Sequence, residues 1–501
     1  MTVLNAAVEI LRRGRAPEIA GRTALVCGDE RVTYGALVRL VDQAANAFGT
    51  VGVGRGDRVA LLFDDSPLYV AALLGLMLRG AVAIPLNPKL KRDDYAFVLA
   101  DAQTVLFVLG ANYRDVVGDL GSAAVIAATG TSDSLEALVA KSPGSAEPAP
   151  TAADDEAFWL FSSGTTGRPK GIVHSHRNAA HASKILREVL ALDHRAVVLA
   201  SSKLFFALAL DNALFGPLAL GATAVIQPGL PDPETVARQV AELKPTVLFT
   251  VPTFYRRLLA LDPAALQPFA TLAYPMAGGE RIPEELARRW RAAIGTELLA
   301  IYGASETFCN VFATFPGDAR GGSVGKALVG VGCRVLDRDS GEPAGRDGGI
   351  LWVKHPSLAL RYSSDAATAK AFRDDWFCTN DLFTVDAEGY WFYQGRSDEL
   401  LKVAGQWVKP TDVEDAVAGA PIEESACVVI PDPDGFERLA LFVVASDTEA
   451  ALAVAAERVA RELPRHSRPR WIRVIDALPR TSTGKVQRFA LREQLLDELR
   501  Q

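Results

Sequence analysis

Phe161-Ser162-Ser163-Gly164-Thr165-Thr166-Gly167-Arg168-Pro169-Lys170-Gly171 is the stretch on which the reading of this chain turns. It gathers hydroxyls, glycines and two cations into one short run. The apolar residues before it, Ala157 to Phe161, predict a buried strand that delivers a loop. Gly164, Gly167 and Gly171 let backbone N–H groups approach an anion with no Cβ in the way. Ser162, Ser163, Thr165 and Thr166 add hydroxyl donors, and Lys170 adds a point charge. Together these groups suit a polyphosphate. The run is not a Walker loop, because no Gly-Lys-Ser/Thr follows a glycine at the required spacing. A second run of the same character, Pro479-Arg480-Thr481-Ser482-Thr483-Gly484-Lys485-Val486, lies far downstream.

Working outward, the chain alternates strand-like and helix-like segments. Asp57 to Phe63, Ala81 to Pro85 and Thr104 to Leu109 read as strands. Leu68 to Leu78 and Arg92 to Ala100 read as helices between them, the βαβ rhythm of a parallel sheet. Lys141 to Asp155, rich in Pro, Ala and Ser, reads as a surface connection. A second alternation runs from Ala222 to Tyr302, with strands ending at Ile226, Thr250, Met276 and Ile301. Ligands of such sheets bind beyond the carboxyl ends of the strands. The turns Tyr274-Pro275-Met276-Ala277-Gly278-Gly279-Glu280 and Tyr302-Gly303-Ala304-Ser305-Glu306 are therefore expected on one edge. Ser323 to Tyr393 reads as a small β subdomain. Beyond Asp398, three strands and a helix over Glu449 to Leu463 form a compact α+β domain.

With 501 residues, more than one domain is expected. A hydrophobic fraction of 49% with 23% charged residues is ordinary globular composition, and a net charge of −7 leaves no basic footprint for nucleic acid. The five cysteines are scattered and lack a CxxC pair, which argues against a disulfide framework or zinc site and for a reducing cytoplasm. His174, His176 and His181 have no partners at metal-site spacing and read as loop and helix surface. Pro67 to Leu86 is apolar but interrupted by Arg79 and Gly80. It reads as a buried helix and strand rather than a membrane span.

The two phosphate-type runs, and four segments between them, resemble the ordered motifs of the adenylate-forming superfamily of acyl- and aryl-CoA ligases, adenylation domains and luciferases. Ile301-Tyr302-Gly303-Ala304-Ser305-Glu306-Thr307 is similar to its adenine and magnesium motif. Trp376-Phe377-Cys378-Thr379-Asn380-Asp381 is similar to its ribose motif, with Asn380 where the family has glycine. Asn tolerates the backbone conformations that glycine adopts. Gly395-Arg396-Ser397-Asp398-Glu399 resembles the hinge, and Lys402 to Glu414 resembles the thiol-tunnel loop. The resemblance covers almost the whole chain. It implies an α/β fold: a large N-terminal adenylating domain (1–396) of parallel α/β subdomains plus a small β subdomain, a hinge (397–398), and a mobile α+β C-terminal domain (399–501).

The resemblance also implies an AMP-forming acid–thiol ligase using ATP, Mg2+ and coenzyme A. Lys485, Thr166 and Glu306 would be catalytic. ATP would be held by Ser162, Ser163, Gly164, Thr165, Thr166, Gly167, Lys170, Gly279, Glu280, Tyr302, Gly303, Ser305, Asp381, Arg396 and Lys485. Glu306 and Thr165 would hold magnesium, Asp398 would be the hinge, and Gly405 and Trp407 would line the pantetheine tunnel. On the residues alone, Asp381 and Arg396 also read as a salt bridge, and Asp398 as a linker residue.

The segment Lys203 to Leu218 closely resembles the acid pocket of benzoate- and hydroxybenzoate-type ligases. It implies a compact aromatic acid held by Phe206, Ala207, Leu208, Asp211, Gly303 and Cys309. Two places along the chain depart from that group. Leu208-Ala209-Leu210-Asp211 replaces Tyr-Gly-Leu-Gly, and Cys309 replaces a histidine. Asp211 reads either as an acceptor for a ring amino or hydroxyl group or as the cap of a helix starting at Asn212. A separate carrier protein is the alternative acceptor to CoA, and a catalytically silent ligand-binding protein is the alternative outside enzymes. The family implies a monomer or homodimer, with no nucleic acid and no membrane insertion.

Overall fold

The computed structural model describes residues 3–118, 120, 123–163, 168–338, 340–344, 348–397, 401–403, 406–432, 436–480 and 486–500. For 163, 401–403, 406–407 and 500 it describes the backbone alone. The chain divides into two compact units, residues 1–333 with 353–377, and residues 334–352 with 378–501.

The first unit is built on two sheets. The seven-stranded sheet runs, in spatial order, Arg361–Tyr362, Pro169–Ser175, Glu156–Ser163, Val82–Pro85, Arg58–Leu62, Leu106–Leu109 and Ala124–Ala127. Its Arg58–Leu62, Val82–Pro85 and Leu106–Leu109 strands pair in parallel, as the βαβ rhythm predicts. Val82–Pro85 and Leu106–Leu109 are buried at every position, which is why they read as continuous apolar runs rather than alternating ones.

The nine-stranded sheet carries the second alternation. Leu299–Tyr302, Tyr274–Ala277, Val247–Thr250, Val197–Ala200 and Thr223–Ile226 lie side by side and parallel. The turns after Ala277 and Tyr302 therefore do leave neighbouring strands at the same edge. Gly279 takes φ +82° in the first of these turns, a left-handed conformation that a side chain would strain.

The apolar stretch at 67 is the buried helix expected, Pro67–Leu78. Ser66 caps it by accepting from Tyr69 N–H, and only Leu68 escapes burial. Apolar residues all round such a helix mean burial on every face. A Cβ at its Gly75 would meet Ala44 Cβ and the Ala45 nitrogen at 2.9 Å, so glycine lets the Tyr34–Thr50 helix pack backbone against backbone. Among the described residues no helix is long and apolar enough to cross a membrane.

In the second unit, residues 381–385 and Trp391–Arg396 form an antiparallel ribbon. Further on, Glu424–Pro431 pairs antiparallel with Glu437–Val444, which pairs in parallel with Trp471–Ile475. The Thr448–Glu462 helix starts at Asp447, whose side chain accepts from Ala450 N–H, and it buries Ala451, Ala455 and Val459 along one face.

Candidate active site

The described ends of the phosphate-type run, residues 161–163 and 168–171, lie on or beside two paired strands. Glu156–Ser163 and Pro169–Ser175 pair antiparallel, with Ser162 opposite Lys170 and Ser163 opposite Pro169. Gly164, Thr165, Thr166 and Gly167 lie outside the described residues. Gly171 lies within the ladder, not in the anion loop. A Cβ there would crowd Ser363 Oγ at 3.0 Å and Phe161 Cζ at 3.1 Å, so strand packing accounts for this glycine.

Glu306 sits in the loop after the Leu299–Tyr302 strand. The Tyr362 hydroxyl donates to its Oε1 at 2.7 Å, and its main-chain oxygen accepts from Ala359 N–H at 2.7 Å. The Lys170 ammonium lies 4.2 Å from the centre of the same Tyr362 ring. The fold thus links a cation of the first run to the carboxylate of the Tyr302–Thr307 motif through one tyrosine that the sequence reading did not single out. Tyr302 ends its strand half-buried, its ring stacked on Phe312 with centroids 5.5 Å apart. Gly303 and Ser305 follow it in the loop, and Glu280 is half-buried in the neighbouring turn.

An aromatic cluster holds this loop from behind. Phe308 takes φ +56°, unusual for a bulky residue, and packs against Phe158, His174 and Phe215 at centroid distances of 4.9, 5.4 and 5.9 Å. His174 and His176 are fully buried, which corrects the surface reading for these two, whereas His181 is exposed as expected. The strand that carries His174, Pro169–Ser175, is buried at every position but Lys170, so both of its faces turn inward. The Ser175 hydroxyl donates to Asn178 Oδ1, which leaves the Asn178 amide to donate to His174 Nδ1 at 3.0 Å and the imidazole proton on Nε2. Burial drives the His174 pKa down to about 3, opposed by the Ser305 main chain beside it.

Two of the positions that depart from the benzoate group, Asp211 and Cys309, meet. Cys309 Sγ donates to Asp211 Oδ1 at 3.5 Å, and next to them Asn310 Nδ2 donates to Asn212 Oδ1 at 2.8 Å. Asp211 is 3% exposed, and burial lifts its carboxyl to about 7, with the Cys309 thiol opposing the rise. Burial and the neighbouring carboxyl push the Cys309 thiol well above its ordinary range. The capping reading of Asp211 is overturned. The helical run begins at Ala207, after Phe206, and Asp211 lies inside a π-helical turn, Leu210–Phe215. Its main-chain oxygen accepts from Gly216 N–H, five residues on. Such turns frequently mark functional positions. Phe206 and Leu208 are half-buried and Ala207 is buried along the same segment.

At the start of that segment, Lys203 is buried against Asp65, Nζ to Oδ2 3.1 Å. Its ammonium also donates to the carbonyls of Gln227 and Pro228 at 2.6 and 2.7 Å. Asp65 accepts Leu204 N–H as well, and burial raises it to about 6 although Lys203 pulls the other way.

In the second unit, Asp381 and Arg396 face each other across the ribbon and form an ion pair of 3.1 Å. The Arg396 guanidinium also donates to the Thr379 carbonyl, and Thr379 Oγ1 accepts from Asp381 N–H. Asn380 adopts φ +58°, the left-handed conformation anticipated for a residue standing in place of glycine. Lys485, Asp398 and Gly405 lie outside the described residues, as does the Trp407 side chain.

A family model described as "AMP-binding enzyme" matches residues 14–363, and its C-terminal companion matches 412–485. The chain belongs to the AMP-binding enzyme family. It is 36% identical to a 3-hydroxybenzoate–CoA ligase of Aromatoleum sp. (strain CIB), over 98% of this chain and 97% of that one. It is 34% identical to a benzoate–CoA ligase of Thauera aromatica, over 97% and 95%. A crystal structure of an anthranilate CoA ligase in complex with anthranoyl-AMP superposes with a TM-score of 0.92 at 29% identity, covering 100% of this chain and 99% of that one. As a member of this family, the protein is an AMP-forming acid–thiol ligase that uses ATP, Mg2+ and CoA.

The residues present fit magnesium. Glu306 offers hard carboxylate oxygen, and among the described residues no group of three or more His, Cys, Asp or Glu could enclose a metal. Mg2+ bound with a nucleotide takes one or two carboxylates and fills the rest of its shell with phosphate oxygens and water.

Proposed function

We propose that this protein is an aryl-CoA ligase for a benzoate bearing an amino or hydroxyl ring substituent. The observation that carries the reading is the buried hydrogen-bonded pair Asp211–Cys309, at two of the positions that depart from the benzoate-type pocket. A carboxyl held in such a place offers a hydrogen-bond acceptor to a donor on the ring. Plain benzoate would add no donor to it and leave the weak Cys309 thiol as its side-chain partner, which disfavours that substrate. The names of the relatives, 3-hydroxybenzoate, benzoate and anthranilate CoA ligases, bracket the same chemical class.

In the reaction, an oxygen of the aryl carboxylate attacks the α-phosphorus of ATP, and the bond to pyrophosphate breaks. The CoA thiolate then attacks the acyl carbon of the adenylate, and AMP leaves. Both steps bring anions together, so fixed positive charge carries much of the catalysis. Thr165, Thr166 and the glycine amides around them would hold the β- and γ-phosphates, with Lys170 beside them. Tyr302 and the Gly279–Glu280 turn would hold adenine, and Asp381 and Arg396 the ribose hydroxyls. Lys485 bridges the carboxylate and the α-phosphate. Glu306 and Thr165 would hold magnesium, which when bound would neutralise charge on the polyphosphate. Rotation at Asp398 then exchanges Lys485 for the Gly405–Trp407 loop, which receives the pantetheine arm.

The test is mass spectrometry of products from purified protein, ATP, magnesium and a panel of hydroxybenzoates, aminobenzoates, benzoate and short fatty acids, with and without CoA. An aryl-CoA product formed faster from a donor-substituted benzoate than from benzoate is expected. Acyl-adenylate that accumulates and is not converted by CoA would move the acceptor to a separate carrier protein.

A further inference from the structure

Tyr362 ends a two-residue strand, Arg361–Tyr362, that pairs antiparallel with Pro169–Ser175 and stands opposite Ile172. Lys170 and Ile172 share one face of their strand, because side chains alternate. That register puts the Tyr362 ring within reach of the Lys170 ammonium, 4.2 Å from the ring centre. On the other side, the Tyr362 hydroxyl donates to Glu306 Oε1 at 2.7 Å.

The strand is held firmly. Arg361 donates to Glu156 Oε1 at 2.6 Å, Tyr362 N–H donates to Thr368 Oγ1 at 3.0 Å, and Phe372 packs edge-on to the ring with centroids 5.4 Å apart. Tyr362 is 3% exposed. Its hydroxyl therefore meets the Glu306 carboxylate with little competition from water, and the ring has one seat.

We propose that Tyr362 is a positioning residue of the ligase reaction: its hydroxyl fixes the Glu306 carboxylate in the orientation that receives magnesium, while its ring seats Lys170 of the phosphate run. One side chain then sets the spacing between the metal ligand and the phosphate cation. The inference rests on the proposed roles of Glu306 and Lys170. A long glutamate left to itself samples several rotamers and loses that freedom when a cation binds. A hydrogen bond to one carboxylate oxygen removes that freedom in advance and leaves the other oxygen for the cation. Partners of this kind, one shell beyond the metal, are worth about 10- to 100-fold in metal affinity.

Tyr362→Phe tests the hydroxyl and keeps the ring that packs on Phe372 and Lys170. ATP binding to the full chain is measured by calorimetry with and without magnesium, for the wild type, Tyr362→Phe, Glu306→Gln and the double variant, with the melting temperature of each recorded. Tyr362→Phe is expected to weaken magnesium-dependent ATP binding by about 10-fold while leaving metal-free ATP binding unchanged. Adding it to Glu306→Gln should cost nothing more, since the hydroxyl acts through that carboxylate. If Glu306→Gln weakens magnesium-dependent binding and Tyr362→Phe lowers only the melting temperature, the hydroxyl is merely packed and the proposal is overturned. If Glu306→Gln leaves magnesium dependence intact, the assignment of Glu306 fails, and the proposal with it.

Discussion

Replacing Asp211 should change which acid this enzyme prefers, and the size of the change follows from its surroundings. The carboxyl is buried, bonded to the Cys309 thiol, and raised by burial to about 7. When ionised it accepts hydrogen bonds and donates none. A substrate that brings a ring N–H or O–H to it adds a donor to that of the Cys309 thiol; benzoate does not. Leaving the remaining acceptor capacity of a buried carboxylate unused costs about 1–3 kcal/mol. At 1.36 kcal/mol per decade that becomes a preference of about 5- to 150-fold in kcat/KM for the donor-substituted acid. Asp211→Gly, which places there the residue of the benzoate-type segment, should erase that preference. Asp211→Asn keeps a carbonyl acceptor and should keep part of it.

The pH dependence is a second signature of the same group. The preference of the wild type should grow between pH 6 and 8 as Asp211 ionises, and should be flat in Asp211→Asn. Stability carries the opposite sign. The folded pKa lies above the unfolded value of 3.8, so the native state holds the proton longer. Stability therefore falls as pH rises from about 4 to about 7, and Asp211→Asn should melt higher than the wild type above pH 7. The assay is the ratio of kcat/KM values for CoA-thioester formation with 3-aminobenzoate, 3-hydroxybenzoate and benzoate, read by mass spectrometry across pH. An unchanged ratio in an Asp211→Gly protein that still melts cooperatively would refute the pocket role.

Two further outcomes follow from other buried charges. Lys203→Met leaves the Asp65 carboxylate buried 3.1 Å from where its counter-charge stood, and should cost about 3–5 kcal/mol in denaturant melts. Asp65→Leu in the same chain should recover part of that loss. His174 titrates at about 3 in the folded protein, so the unfolded chain binds a proton that the native state refuses below pH 6.5. Stability from this group is present above 6.5 and is lost as pH falls toward 3. His174→Phe should flatten the slope of stability against pH between 6 and 4 by about 1.4 kcal/mol per unit.

Much of this protein was legible before any coordinates. Runs such as Val82–Pro85 and Leu106–Leu109 are apolar at consecutive positions because parallel strands between helices have no wet face, and that pattern survives in one dimension. The order of the motifs carried the family, because glycines, hydroxyls and cations around a polyphosphate must lie close together in the chain to form one loop. Asn380 could be anticipated in a left-handed turn from its residue type alone. His174 and His176 read as surface because an exposed and a buried segment can hold the same polar residue, while His181 is exposed as expected. Only the packing over His174 and His176 decides their burial, and with it their neutral charge.

What the tertiary structure alone decided is which distant residues share an environment. Asp211 and Cys309 are 98 positions apart and Tyr362 and Glu306 are 56 apart, yet each pair is hydrogen-bonded. Sequence names the chemical groups, but desolvation belongs to the packing around them. A carboxyl raised to about 7 and a tyrosine seated between a cation and a carboxylate arise only when separate strands and loops exclude water from the same volume.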